Sequence, residues 1–198
     1  MVSTSWIGTK ENVVADAITR ENRWHDISLT PMAFRELSRW MGRPNIDWCA
    51  SNANVQRDAG TGEPLPFVSR YPCPGAVAVD VLSCNVRYIP GGDTLALGYA
   101  FPPEPLVAPF VAWLKQCRGK CIVVTTGSKN QLWWPTVSFH TQKMLCLGKV
   151  GAVDVLRFPQ KDGTICDLPL KESVVAHLLD FRKMGTAGCC GTTGGACV

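Results

Sequence analysis

Two consecutive prolines, Pro102 and Pro103, lie within Ala100-Phe-Pro-Pro-Glu-Pro105, after an apolar stretch and before a segment of helical spacing. Each ring locks φ and removes a backbone donor. A strand that enters this turn must end there, and a helix can begin only beyond it. Leu106, Phe110 and Leu114 recur at spacings of four, which predicts a helix over 106–116 with Pro109 in its first turn. Thr94–Phe101 is the expected strand, and Gly91-Gly92-Asp93 a turn before it.

The same α/β alternation extends along the chain. Thr30 is a candidate N-cap with Pro31 at the first helical position, and Phe34, Leu37 and Met41 form an apolar face. These signals predict a helix from Pro31 to Met41, ended by Gly42 and kept from resuming by Pro44. Ile46–Ala50 reads as a short buried strand, and 56–75 as a loop rich in Gly, Pro and charge. Ala76–Leu82 suits a strand or a short helix. Cys121–Thr126 is β-branched, uncharged and bounded by Gly119 and Gly127, the pattern of a central strand. Trp133-Trp134-Pro135 is expected to open a helix that ends before Gly148. Val153–Phe158 reads as a late strand and Glu172–Met184 as a final helix. Strands alternating with helices predict an α/β fold with a mostly parallel sheet flanked by helices, partly Rossmann-like. The Gly- and Cys-rich segment 185–198 has almost no large side chains to bury, and a disordered tail is expected there.

Composition narrows the functional classes. The chain has 198 residues, 46% hydrophobic and 18% charged, with a formal net charge of +4, which suits a globular domain. Its basic residues are scattered, whereas a committed nucleic-acid face usually clusters them. Ten cysteines are present, without the two well-spaced ligand pairs that tetrahedral zinc needs. Cys84, Cys117, Cys121 and Cys146 sit in apolar stretches and read as small core hydrophobes. No metal is expected. The absence of a secretory signal pattern and of a long apolar run predicts an intracellular protein, nuclear or cytoplasmic, with no membrane partner. His25 and His140 stand apart from any nucleophile pattern, and no phosphate-binding loop or Gly-x-Ser-x-Gly is present.

Two segments resemble parts of one kind of polyprotein. Gly8-x-x-Glu-Asn12-x-x-Ala15-Asp16-Ala17-x-Thr-Arg20 resembles the last helix of the ribonuclease H domain of retroelements. In that family the residue matching Asp16 belongs to a metal-binding carboxylate cluster. A single carboxylate cannot support two-metal cleavage, so residues 1–24 are expected to be an inert remnant. The larger segment contains Asp47-Trp-Cys-Ala50-Ser51-x-x-Asn54, then Phe101-Pro102-Pro103-Glu104, then Ile122-Val-Val, then Trp133-Trp134. This order resembles the Dam-like adenine methyltransferase module that follows ribonuclease H in DIRS-type retrotransposons, whose polyproteins also carry a reverse transcriptase.

The resemblance implies a methyltransferase-like domain over 28–184. It implies S-adenosylmethionine as the possible cofactor, with Asp47, Ala50, Ser51 and Asn54 near its pocket. Phe101, Pro102, Pro103 and Glu104 would then stand at the acceptor amine. The family has Asn or Asp where this chain has Phe101, and an aromatic residue where it has Glu104. A phenyl ring cannot accept a hydrogen bond from the amine, and a carboxylate cannot stack on a flipped base. The expected function is therefore a degenerate DNA adenine methyltransferase-like module without activity, in contact with DNA or other parts of a retroelement polyprotein. The alternative is a structural or nucleic-acid-interacting module of a reverse transcriptase and ribonuclease H polyprotein that never bound the cofactor.

Overall fold

A computed structural model describes residues 27–86, 89, 96–127, 130–159, 165–166 and 169–182. The ribonuclease H-like segment with Asp16, His25, the turn at 91–93 and the tail 185–198 lie outside the described residues.

The chain begins with a short strand, β1 (Ser28–Leu29), and then α1 (Pro31–Met41). The predicted caps of α1 are present. The Thr30 hydroxyl accepts from Ala33 N–H at 3.2 Å, and the Gly42 N–H donates to the Ser38 carbonyl. Gly42 has φ 104°, where a side chain would be strained. The Thr30 hydroxyl also donates to the Asp154 carbonyl at 2.7 Å, and Thr30 N–H donates to Val155 O at 2.9 Å. One residue thus caps the helix and pins it to a segment more than a hundred positions away.

Next come β2 (Ile46–Asp47), β3 (Val68–Ser69), β4 (Ala78–Val79) and one 3₁₀ turn at Val81–Ser83. Then follow β5 (Leu97–Ala100), α2 (Glu104–Gln116), β6 (Lys120–Thr126), α3 (Trp134–His140) and β7 (Thr141–Gly148). Three further strands close the chain: β8 (Leu156–Pro159), β9 (Ile165–Cys166) and β10 (Val174–Asp180). The main sheet has the order β2-β5-β6-β10-β7.

The predicted mostly parallel, partly Rossmann-like sheet is corrected by the ladders. β10 pairs antiparallel with both β6 and β7, over seven and six residue pairs. The parallel ladders β2–β5 and β5–β6 hold two and four. The fold is mixed α/β, and its main sheet is mostly antiparallel by pairing. A parallel pair, β3 and β4, adjoins β2 through a bridge from Asp47 to Phe67.

The predicted helix over Glu172–Met184 is in fact β10. Val174, Ala176, Leu178 and Leu179 are buried, as are His177 and Phe181. A strand buried on both faces reads as a continuous apolar run, without the alternation that separates strand from helix. The helix after Trp133 is also shorter than expected, and β7 occupies most of the span to Gly148. α2 starts at Glu104, directly after the two prolines, which places Pro109 beyond the first turn. Cys121 is buried in the core, whereas Cys146 is exposed on β7.

The sheet separates two cores. One face packs Ile46, Trp48, Ala100, Cys121 and Val123 against α2, α3 and the segment around Val81–Val86. The other packs Tyr99, Ile122, Val124 and Leu178 against α1 and the loop around Leu65. Gly98 sets the spacing on the first face. A Cβ built on it would stand 2.2 Å from Nε1 of Trp48, which lies edge-to-face with Trp113 at 5.1 Å. Gly98→Ala should therefore lower stability by about 2–3 kcal/mol, read as a lower urea midpoint. An unchanged midpoint would mean that Trp48 can move aside.

Candidate functional site

β2, β5 and β6 run in one direction, so their carboxyl ends share one edge of the sheet. In open α/β sheets that edge is where ligands bind. The topology brings three of the predicted segments there: Asp47–Asn54 after β2, Phe101–Glu104 after β5, and Leu132–Trp134 after β6. Trp48 N–H donates to Tyr99 O at 2.8 Å, which fixes the first two together.

In the first segment, Asp47, Ser51 and Asn54 are engaged by their own loop. Asp47 is 2% exposed. Its carboxylate accepts from Cys49 N–H at 3.3 Å through Oδ1 and from Gln56 N–H at 3.2 Å through Oδ2. The Gln56 side chain donates onward to Leu29 O at 3.3 Å. Asn54 Oδ1 accepts from the Ser51 amide at 2.7 Å and from its hydroxyl at 3.2 Å. Ser51 Oγ in turn accepts from Ala53 N–H. Ala50 is buried, and its N–H donates to Val68 O. Asp47 and Asn54 therefore act as internal caps of the 48–56 loop.

At the turn after β5, Pro102 is buried and Pro103 half-buried as the N-cap of α2. Phe101 is half-buried and packs on the core that holds Tyr99 and α1. Glu104 is exposed in the first turn of α2, where a negative charge complements the helix dipole. Trp133 is 4% exposed and packs against Trp134 with ring centroids 5.9 Å apart. The Trp133 indole is enclosed in the core, and Trp134 is half-buried against it and against His177. The edge also carries Arg70 and Tyr71 after β3 and Asp80 after β4. Sequence reading passed over these three. The available signal was the short apolar run ending in Asp80.

Several ionisable groups in and near this region are shifted by burial. Burial pushes the Asp47 carboxyl up to about 7, even though its two backbone hydrogen bonds favour the charged form. Burial and then the neighbouring Asp47 push the Cys49 thiol and the Tyr99 phenol well up as well. His177, on β10, was also missed. It lies between Thr125 Oγ1, 3.3 Å from Nε2, and Thr141 Oγ1, 3.2 Å from Nδ1. The Thr141 hydroxyl donates to Val137 O at 2.7 Å, so it can only accept from the ring. Nδ1 therefore carries the proton, and Nε2 accepts from Thr125. Burial lowers the His177 pKa to about 4.

The Asp47 and His177 shifts have opposite consequences for stability. An unfolded Asp ionises near 3.8, so the contribution of Asp47 is complete below that pH and is lost as pH rises through 7. The contribution of His177 is complete above 6.5 and is lost as pH falls through 4. Between about pH 4 and 6.5 their slopes cancel. Asp47→Asn should expose the histidine slope, with stability rising by about 1.4 kcal/mol per pH unit through the middle of that window. Urea midpoints against pH check this, and a flat profile in the variant would refute it.

Among the described residues no helix is long and apolar enough to cross a membrane, and no three His, Cys, Asp or Glu side chains group as metal ligands. No protein-family model matches the chain, and no curated protein matches it.

Proposed function

We propose that this chain is a non-catalytic derivative of an S-adenosylmethionine-dependent DNA adenine methyltransferase module, carried within a retroelement polyprotein. The observation that carries this reading is the turn after β5. The motif-bearing segments converge on one sheet edge, yet Phe101 turns an apolar side chain into the core and Glu104 points to solvent. No side chain at 101 can accept a hydrogen bond from an exocyclic amine. The loss of one such transition-state contact costs roughly 100- to 1000-fold in rate. Asp47 and Asn54 add a second obstacle, because a cofactor would have to compete with backbone amides that already hold them. Its partners on this reading are DNA or other parts of the polyprotein, engaged without chemistry.

The chain should transfer no methyl from S-adenosylmethionine to adenine in duplex DNA, and calorimetry at micromolar cofactor separates a degenerate cofactor site, which gives heat of binding, from a module that never bound the cofactor, which is silent. Because two obstacles stand in series, Phe101→Asn with Glu104→Tyr should restore no incorporation either. Methyl incorporation by the unaltered chain above a heat-inactivated control would overturn the proposal. Incorporation by the double variant alone would reduce the defect to the turn.

A further inference from the structure

β7 forms one margin of the main sheet. Its inner edge pairs with β10, and among the described residues no segment is hydrogen-bonded to its outer edge. Natural edge strands are blunted by prolines, charges, bulges or covering elements. β7, Thr-Gln-Lys-Met-Leu-Cys-Leu-Gly, has no proline and one charge, Lys143. The register with β10 skips Leu147 and Gln142, so bulges stand near both ends. They confine the regular, open stretch to Lys143–Cys146. Its face on the α3 side is uncovered: Met144 is 64% exposed, Cys146 is exposed, and Phe139 just before the strand is 83% exposed.

We infer that β7 pairs antiparallel with β7 of a second copy of this chain, joining two sheets into one across a two-fold axis. The unpaired N–H and C=O groups call for another extended strand, and the side chains favour this one. A two-fold perpendicular to the sheet keeps each face continuous, so residues opposite one another have the same parity. Registers centred on Met144 or on Leu145 then place Lys143 against Leu145 or Leu147, and Met144 against Met144 or Cys146. Like charges never meet, and the exposed apolar side chains cover each other. A parallel in-register pair would set Lys143 on Lys143. The contact uses the same strand of each copy, so it is isologous and closes at two.

A four-residue ladder with these side chains buries less than the roughly 800 Å² per partner of a standard interface. The dimer should therefore belong to the weak, transient class and form only toward high protein concentration. Sedimentation velocity of the full chain under reducing conditions, from about 5 to about 500 μM, reads this directly. The weight-average mass should rise from 21.6 kDa toward twice that value. Met144→Asp, at an exposed position, should keep the circular dichroism spectrum and remain monomeric throughout. Leu132→Asp, at a 98% exposed site off the strand, should still dimerise. A monomer at every concentration, larger open-ended species, dimerisation undiminished by Met144→Asp, or equal loss in both variants would each overturn the inference.

Discussion

The double pairing of β10 is the interaction on which the sheet depends. Seven residues, Val174–Asp180, hydrogen-bond to β6 on one side and β7 on the other. Among the described residues, β10 is the strand through which β7 is hydrogen-bonded to the rest of the sheet. Its side chains serve both cores, since Ala176 and Leu178 face α1 while Leu179 and the following Phe181 face α2 and α3. It also carries His177, buried between two threonine hydroxyls.

Sequence reading succeeded where local chemistry decides structure. Thr30, Pro31 and Gly42 mark the ends of α1 because capping needs only neighbouring residues. The Pro102-Pro103 pair marks the boundary between β5 and α2 for the same reason, and Cys121–Thr126 lies within β6. It failed where partners decide. The segment Val174–Asp180 has two β-branched residues, Val174 and Val175, but no apolar–polar alternation, and pairing with β6 and β7 decides that it is a strand. The mostly antiparallel pairing of the sheet follows from that one misread segment.

The candidate site shows the same division. Which segments share the carboxyl edge was legible, because strand-turn-helix units place their turns together. What the side chains do there was not. Asp47 and Asn54 carry the right atoms for a ligand, and their oxygens are taken by amides of their own loop. Hydrogen bonds of that kind depend on the path of the chain from 48 to 56, which residue type does not encode. His177 was invisible for a further reason: its two threonine partners are 52 and 36 positions away.

Those threonines give the interior a direction. Thr125 donates to the ring, the ring to Thr141, and Thr141 to the Val137 carbonyl, so the hydrogens all point from β6 through β10 to α3. A row of dipoles aligned in this way has a head and a tail. It can end at Val137 because a carbonyl only accepts, and it must begin at a hydroxyl that is free to donate. The last turn of a short helix thus sets the ring tautomer of a histidine that lies about forty residues further along the chain.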